Sequence, residues 1–234
     1  MKFSCNKENL EKYIAIAERF SGKNLTLPIL SNIMIETIGD EIRLTSTNLE
    51  QAIQIKINGK IEKEGKICIP AKTINSLIQS LKDNKLDLEE KQNSLILKTI
   101  SKEARLNGLV SEDFPLIPSI KRNLTFNIDA QKLKEGLEKV IPAIAVSDFK
   151  PEFTGIYFNL NSSGELRLVA TDTFRLAEEL INLDDKNITN DVSFIIPQII
   201  GRELSRIIDS ESDIKISLGE NQIIFETGEI RIIS

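Results

Sequence analysis

Apolar and polar residues follow two rhythms along this chain, and the rhythm changes at regular intervals. Phe3 and Cys5 alternate with Lys2 and Ser4, which predicts a short strand over 2–5. From residue 7 the period lengthens, and Leu10, Ile14 and Ala17 fall on one stripe of a helix over 7–19. Period two returns in strands over 32–37, 41–46 and 50–57, with runs such as Ile-Arg-Leu and Ile-Gln-Ile-Lys-Ile. The order then restarts. A strand over 66–69 leads into a helix that starts at Pro70 and turns Ile74, Leu77, Ile78 and Leu81 inward; strands over 86–90, 95–99 and 103–108 follow. Gly39-Asp40, Gly59, Gln92-Asn93, Ser163-Gly164, Gly219-Glu220 and Gly228 mark turns.

The second half repeats the first. Phe3, Leu10, Ile14 and Ala17 fall on Phe126, Leu133, Leu137 and Val140 at an offset of 123. Glu41, Arg43, Leu44 and Thr47 meet Glu165, Arg167, Leu168 and Thr171 at 124; Pro70 and Leu77 meet Pro197 and Leu204 at 127; Asn93 meets Asn221 at 128. A slow drift of this kind is what loop insertions give, so one unit of about 120 residues is present twice. Each unit is itself double, so the chain reads as four β-α-β-β-β modules in two domains, 1–117 and 124–234, joined by the proline-bearing stretch 115–123. The class is α+β. Antiparallel sheets would form one layer and the helices would share the opposite surface. Open strand edges at the ends of such sheets favour pairing with another chain.

Composition narrows the function. The 234 residues are 41% hydrophobic and 28% charged, as a globular chain requires. The opening MKFSCNKENL is too polar for a signal peptide, and no apolar run approaches the ~20 residues of a membrane span, so a cytoplasmic protein is expected. The two cysteines, Cys5 and Cys68, sit in apolar alternating runs and read as buried thiols. There is no histidine, which removes the commonest general base and the Ser-His and Cys-His nucleophile pairs. Neither Gly-rich phosphate-binding loop is present, and neither a metal nor a cofactor is expected. Trp is absent and aromatics are 5%, too few for a base-stacking platform.

The net charge is −5, so affinity for nucleic acid needs a locally basic face. The predicted helices offer one. Arg202 and Arg206 lie four residues apart on the last helix, and Lys72 opens a polar face continued by Asn75, Ser76, Gln79 and Lys82. The other two helices are mixed, with Lys12, Arg19 and Glu8 on one and Lys132, Lys139, Glu135 and Glu138 on the other. Such faces can hold phosphates without reading sequence.

The segment V-A-T-D-T-F-R-L-A (169–177) admits three readings: chemistry at Asp172 or Arg175, a turn, or a docking surface. Thr171 and Asp172 align with Thr47 and Asn48 of the first repeat, which favours a turn. Phe174-Arg175-Leu176 replaces Glu50-Gln51-Ala52, which adds an apolar surface.

The opening M-K-F, then T-L-P-I-L (26–30), D-F-P (113–115) and V-A-T-D-x-x-R-L-A, in this order and spacing, resemble the bacterial DNA sliding clamps, the beta subunits of replicative DNA polymerase III. The resemblance covers the whole chain. It implies a clamp fold with helices inside and sheets outside, in which three such domains form a subunit and two subunits close a ring on duplex DNA. It further implies a processivity factor without catalytic activity, whose partners are double-stranded DNA, the polymerase alpha subunit, clamp-loader subunits and other clamp-binding proteins. On this resemblance the chain corresponds to the first two domains, and a third is not within it. A repeat-built interaction module that does not encircle DNA is the alternative.

Site residues carry over with the resemblance. Thr171, Thr173, Phe174, Arg175 and Leu176, with Phe153, match the peptide-binding pocket; Thr173-Phe174 stands where the family commonly has Gly-His or Gly-Tyr. Lys23, Lys72, Lys150, Arg202 and Arg206 form the DNA-facing set, with Lys150 also close to the pocket strand. Asn24 stands at a usual arginine, and Gln198-Ile199 replaces an Arg-Lys pair. Ala104 and Leu106 match the subunit interface.

Overall fold

The computed structural model describes every residue except 23–26, 118–121, 147–149, 184–190 and 209–212. The chain divides into two compact units, Met1–Ser119 with Glu229–Ile233, and Ile120–Gly228 with Ser234.

The first unit opens with β1 (Lys2–Asn6) and α1 (Lys7–Arg19), followed by a 3-10 turn over Pro28–Ser31. The strands β2 (Asn32–Ile38), β3 (Glu41–Thr47), β4 (Ala52–Ile57), β5 (Gly59–Lys63) and β6 (Gly65–Pro70) come next. Then α2 (Ala71–Gln79), β7 (Lys85–Lys91), β8 (Ser94–Lys98) and β9 (Glu103–Asn107) complete its main run. The second unit repeats the order with β10 (Leu124–Ile128), α3 (Ala130–Val140), β11 (Gly155–Leu160), β12 (Glu165–Thr171), β13 (Leu176–Asn182), β14 (Val192–Pro197), α4 (Gln198–Ile207), β15 (Ile214–Leu218) and β16 (Ile223–Thr227). The last strand, β17 (Ile230–Ile233), pairs antiparallel with β4 and is grouped with the first unit.

The strand triples are antiparallel, as the alternation predicts, but each module sends its first strand to the neighbouring triple. In the first unit β1 lies between β5 and β7 in the order β5-β1-β7-β8-β9, while β6 lies beside β2 in the order β4-β3-β2-β6. The second unit does the same: β10 joins β15, and β14 joins β11 in the order β13-β12-β11-β14. The exchange ties two modules into one body, since neither sheet is complete without a strand from the other module. β5 is an addition to the expected pattern. Only Ile61 in Gly-Lys-Ile-Glu-Lys is apolar, so period two leaves no trace there.

Local chemistry sets where the helices begin. Asn6 Oδ1 accepts from Glu8 N at 2.8 Å and caps α1, and Asp129 Oδ1 accepts from Lys132 N at 2.8 Å and caps α3. Pro70 and Pro197 stand at the N-caps of α2 and α4 instead. The predicted stripes are inward: Leu10, Ile14, Ile74, Ile78, Leu133, Leu137 and Leu204 are all buried, and Ile200 joins Leu204 on α4. Leu77 is half-buried, and Leu81 is buried beyond the end of α2. Each fully buried aliphatic or phenyl group of these cores contributes about 1.5–3 kcal/mol. Within each unit the two helices touch one another, and α1 lies on β2, β3 and β4 as α3 lies on β12 and β13. Among the described residues no helix is long and apolar enough to cross a membrane.

Candidate functional site

The stretch 171–176 is a tight connection between β12 and β13, and its frame is built by side chains rather than by the apolar residues it displays. Thr171 Oγ1 donates to Arg175 O at 2.7 Å and accepts from Thr173 N at 3.1 Å. Asp172 Oδ1 accepts from Phe174 N at 3.0 Å and from Arg175 N at 2.7 Å. Asp172 Oδ2 receives the Arg175 guanidinium through Nε at 2.9 Å and Nη2 at 2.8 Å. The Arg175 backbone N–H, then its guanidinium, hold the Asp172 carboxyl down at about 2. This carboxylate is committed to the turn and is not poised for proton transfer at neutral pH.

The first repeat builds the same frame. Thr47 Oγ1 donates to Gln51 O at 2.7 Å and accepts from Leu49 N at 3.0 Å, and Asn48 Oδ1 accepts from Glu50 N at 3.1 Å and Gln51 N at 2.8 Å. Thr173 has φ +77° and Leu49 has φ +80°, so the left-handed residue sits at the same position of both turns. A glycine would take this conformation freely, and here two residues with a Cβ are held in it by hydrogen bonds on either side. What differs is the display. Phe174 is 95% exposed and Leu176 67% exposed, where the first turn carries Glu50 and Ala52 and exposes a single aliphatic side chain, Leu49 at 59%, in the place of Thr173.

Other elements end at the same edge of this sheet. Because β11 and β12 are antiparallel, the start of β11 adjoins the end of β12. The 3-10 turn Pro151–Phe153 precedes β11, and Phe153 O accepts from Ala145 N at 3.0 Å. Phe153 is half-buried and carries Lys150 Nζ 5.3 Å from its ring centroid. This places Lys150 beside the turn rather than on a helix. Pro197 pairs with Gly155, and Gln198 N donates to Thr154 O at 3.2 Å, so the head of α4 closes the same corner. The outward row Tyr157, Val169 and Ile195 continues the apolar surface across three strands. Only strand order shows that the three residues are neighbours.

Lys72, Arg202 and Arg206 occupy helices, with unequal freedom. Lys72 is exposed in the first turn of α2, and Arg202 is exposed on α4. Arg206 Nη1 donates to Glu203 Oε1 at 2.9 Å, and Glu203 is only 4% exposed, so part of the Arg206 charge is spent on a buried carboxylate. Arg202, Ser205 and Arg206 line an open groove of about 250 Å³ with Glu138, Ile141 and Pro142. Lys139 is drawn toward β13, where its Nζ lies 2.7 Å from Glu179 Oε1. Asn75 of α2 donates to Glu18 of α1. Lys23 lies outside the described residues. Ala104 and Leu106 are half-buried on β9, the edge strand of its sheet, opposite Leu97 and Leu95.

Both units match proteins of known class. Residues 1–118 match the N-terminal domain model of the DNA polymerase III beta subunit, and residues 127–234 match its central domain model. The chain belongs to the DNA polymerase III beta subunit family. A beta sliding clamp of Lactococcus lactis is 27% identical over 243 residues, covering 100% of this chain and 63% of that protein. One from Staphylococcus aureus is 32% identical over 220 residues, covering 89% of this chain and 57% of that protein. The Bacillus subtilis sliding clamp superposes with a TM-score of 0.93 at 25% identity, over 100% of this chain and 64% of that one. The Pseudomonas aeruginosa DNA polymerase III beta subunit gives 0.93 at 27%, over 100% and 64%. The chain thus spans about six-tenths of the length of these relatives, and the α+β clamp fold is shared across all of it.

Proposed function

We propose that this chain supplies two domains of a DNA sliding clamp, a non-catalytic cytoplasmic processivity factor that encircles duplex DNA and tethers its partners through the 171–176 turn. The observation that carries the docking assignment is the contrast between two turns of one frame. Thr171 and Asp172 fix the backbone as Thr47 and Asn48 do, but only the second turn lifts Phe174 and Leu176 into solvent. An exposed phenyl beside an exposed leucine suits an apolar linear peptide of the kind borne by polymerases and clamp loaders. Phe153 and Arg175 flank that surface. On this reading Lys72, Arg202 and Arg206, with Lys23 and Lys150, meet phosphates without reading sequence. Ala104 and Leu106 on the open β9 edge serve the subunit interface of a homodimeric ring.

Retention on DNA tests the clamp. A protein of the relatives' full length, loaded on nicked circular DNA, should stay bound through a high-salt wash and be lost once the circle is cut. Equal loss from circles and linear molecules would refute topological tethering and leave an interaction module that does not encircle DNA.

A further inference from the structure

The two units place different charge at corresponding positions of their helix pairs. At the offset of 127 that sets Pro70 on Pro197, Asn75, Ser76 and Gln79 of α2 fall on Arg202, Glu203 and Arg206 of α4. At the offset of 123, Glu18 of α1 falls on Ile141, just past α3. In the first unit the amides close on one another: Asn75 Nδ2 donates to Glu18 Oε2, and Gln79 Nε2 donates to Asn75 Oδ1 at 3.3 Å. In the second unit two arginines stand at these places, the acidic partner has become an isoleucine, and an open groove of about 250 Å³ lies between α4 and the end of α3.

A carboxylate stands behind these arginines. Glu203 lies on the buried side of α4, its side chain 5% exposed, whereas the Arg206 side chain is 61% exposed. Glu203 Oε1 accepts from Arg206 Nη1 at 2.9 Å. A guanidinium has five N–H donors in a rigid fork, so this bond sets its direction and leaves donors for a second anion. Arg202 is exposed four residues earlier on the same face. Glu138 is exposed on the other wall of the groove. An anion between the arginines therefore meets two cations, with one carboxylate behind them and one beside them. Gln79, at the place of Arg206 in the first unit, stays exposed although the chain continues past that unit.

We propose that this groove seats one phosphate of the duplex backbone on Arg202 and Arg206, and that Glu203 is a positioning residue which aims Arg206 and limits its grip. The proposal rests on the clamp assignment and deepens it. Movement along DNA requires each phosphate to be released as readily as it is bound, and a buried carboxylate behind the arginine gives direction with reduced attraction. Gln at 203 would keep an oxygen able to accept from Nη1 and remove only the charge. Between unit charges several ångströms apart in a high-dielectric surface setting, that change corresponds to about threefold in affinity.

The test measures binding of the chain to a short fluorescent duplex by anisotropy across a salt series. Arg202→Gln and Arg206→Gln should each weaken binding and lower the salt slope by about one. Glu203→Gln should tighten it about threefold, and Glu138→Gln about twofold. With Arg206→Gln already in place, Glu203→Gln should lose most of its effect, which a change in folding or in net charge alone would not do. In the unmodified 15N-labelled chain, which no folding defect can confuse, duplex should shift the side-chain N–H signals of Arg202 and Arg206 together. If neither arginine substitution weakens binding, the DNA-facing assignment of α4 fails. If both do, three results would overturn this inference alone: a folded Glu203→Gln chain that binds no more tightly than the parent, a Glu203→Gln effect that survives intact without Arg206, or duplex-induced shifts that miss the Arg206 side chain.

Discussion

Thr173→Gly should stabilise the protein, although it deletes a side chain from a turn in the proposed docking surface. Thr173 sits at φ +77°, where a residue with a Cβ pays about 1–2 kcal/mol. Glycine removes that cost but returns about 0.5–1 kcal/mol through the extra freedom of the unfolded chain. The net gain is about 0.5–1 kcal/mol. No hydrogen bond opposes it, because the turn uses Thr173 N, which glycine keeps, and the Thr173 side chain is exposed. Leu49 at φ +80° is an internal control, so Leu49→Gly should gain a similar amount, and the two should add because they lie in different units. Urea midpoints and thermal melts read the change, which amounts to about 2–3 °C in Tm for each substitution. A loss of stability in either variant would refute the reasoning, since it would mean that the left-handed conformation is not what these positions impose.

Three further outcomes follow from the same structure. Asp172 is held at about 2 against an ordinary 3.8, so its contribution is complete above about pH 4 and is lost as pH falls toward 2; an NMR titration of the Arg175 amide should have its midpoint near 2, and a midpoint near 3.8 would contradict the turn geometry. Phe158→Ala should cost about 3–5 kcal/mol, since the ring is fully buried and stacks on Phe194, whereas Phe174→Ala should change stability by no more than about 0.5 kcal/mol; equal costs in chemical denaturation would be contrary. Burial pushes the Cys5 and Cys68 thiols up to about 12, so both should resist iodoacetamide at pH 8 until the protein is unfolded, and rapid labelling of the native chain would count against their burial.

Much of the fold could be read from period alone. Leu10, Ile14, Leu133 and Leu137 mark helix stripes in any context, and the 123- to 128-residue offsets disclose the repeat without any structure. Strand exchange could not be read, because β1 and β6 have similar alternating patterns and nothing local says which triple each will join. β5 was hidden because pairing with β1, not an apolar pattern, makes it a strand. At the site, the Thr-Asp frame and the exposed Phe174 were both legible from comparison of the two repeats. The Glu203–Arg206 and Lys139–Glu179 pairs were not. They depend on which way long side chains turn, and a count of basic residues on helix faces does not contain that information.

The second turn is proposed to dock peptides because of what it displays and not because of how it is built. The direct measurement exchanges the display and keeps the frame: Thr173→Leu, Phe174→Glu, Arg175→Gln and Leu176→Ala together, in a protein of the relatives' full length. The hydrogen bonds of Thr171 and Asp172 to the backbone should survive, so circular dichroism and the melting profile should stay near those of the parent. Calorimetric affinity for a polymerase-derived clamp-binding peptide should fall at least about tenfold, as loss of a central aromatic anchor gives. Undiminished affinity in a folded variant would contradict the claim and place the docking surface elsewhere.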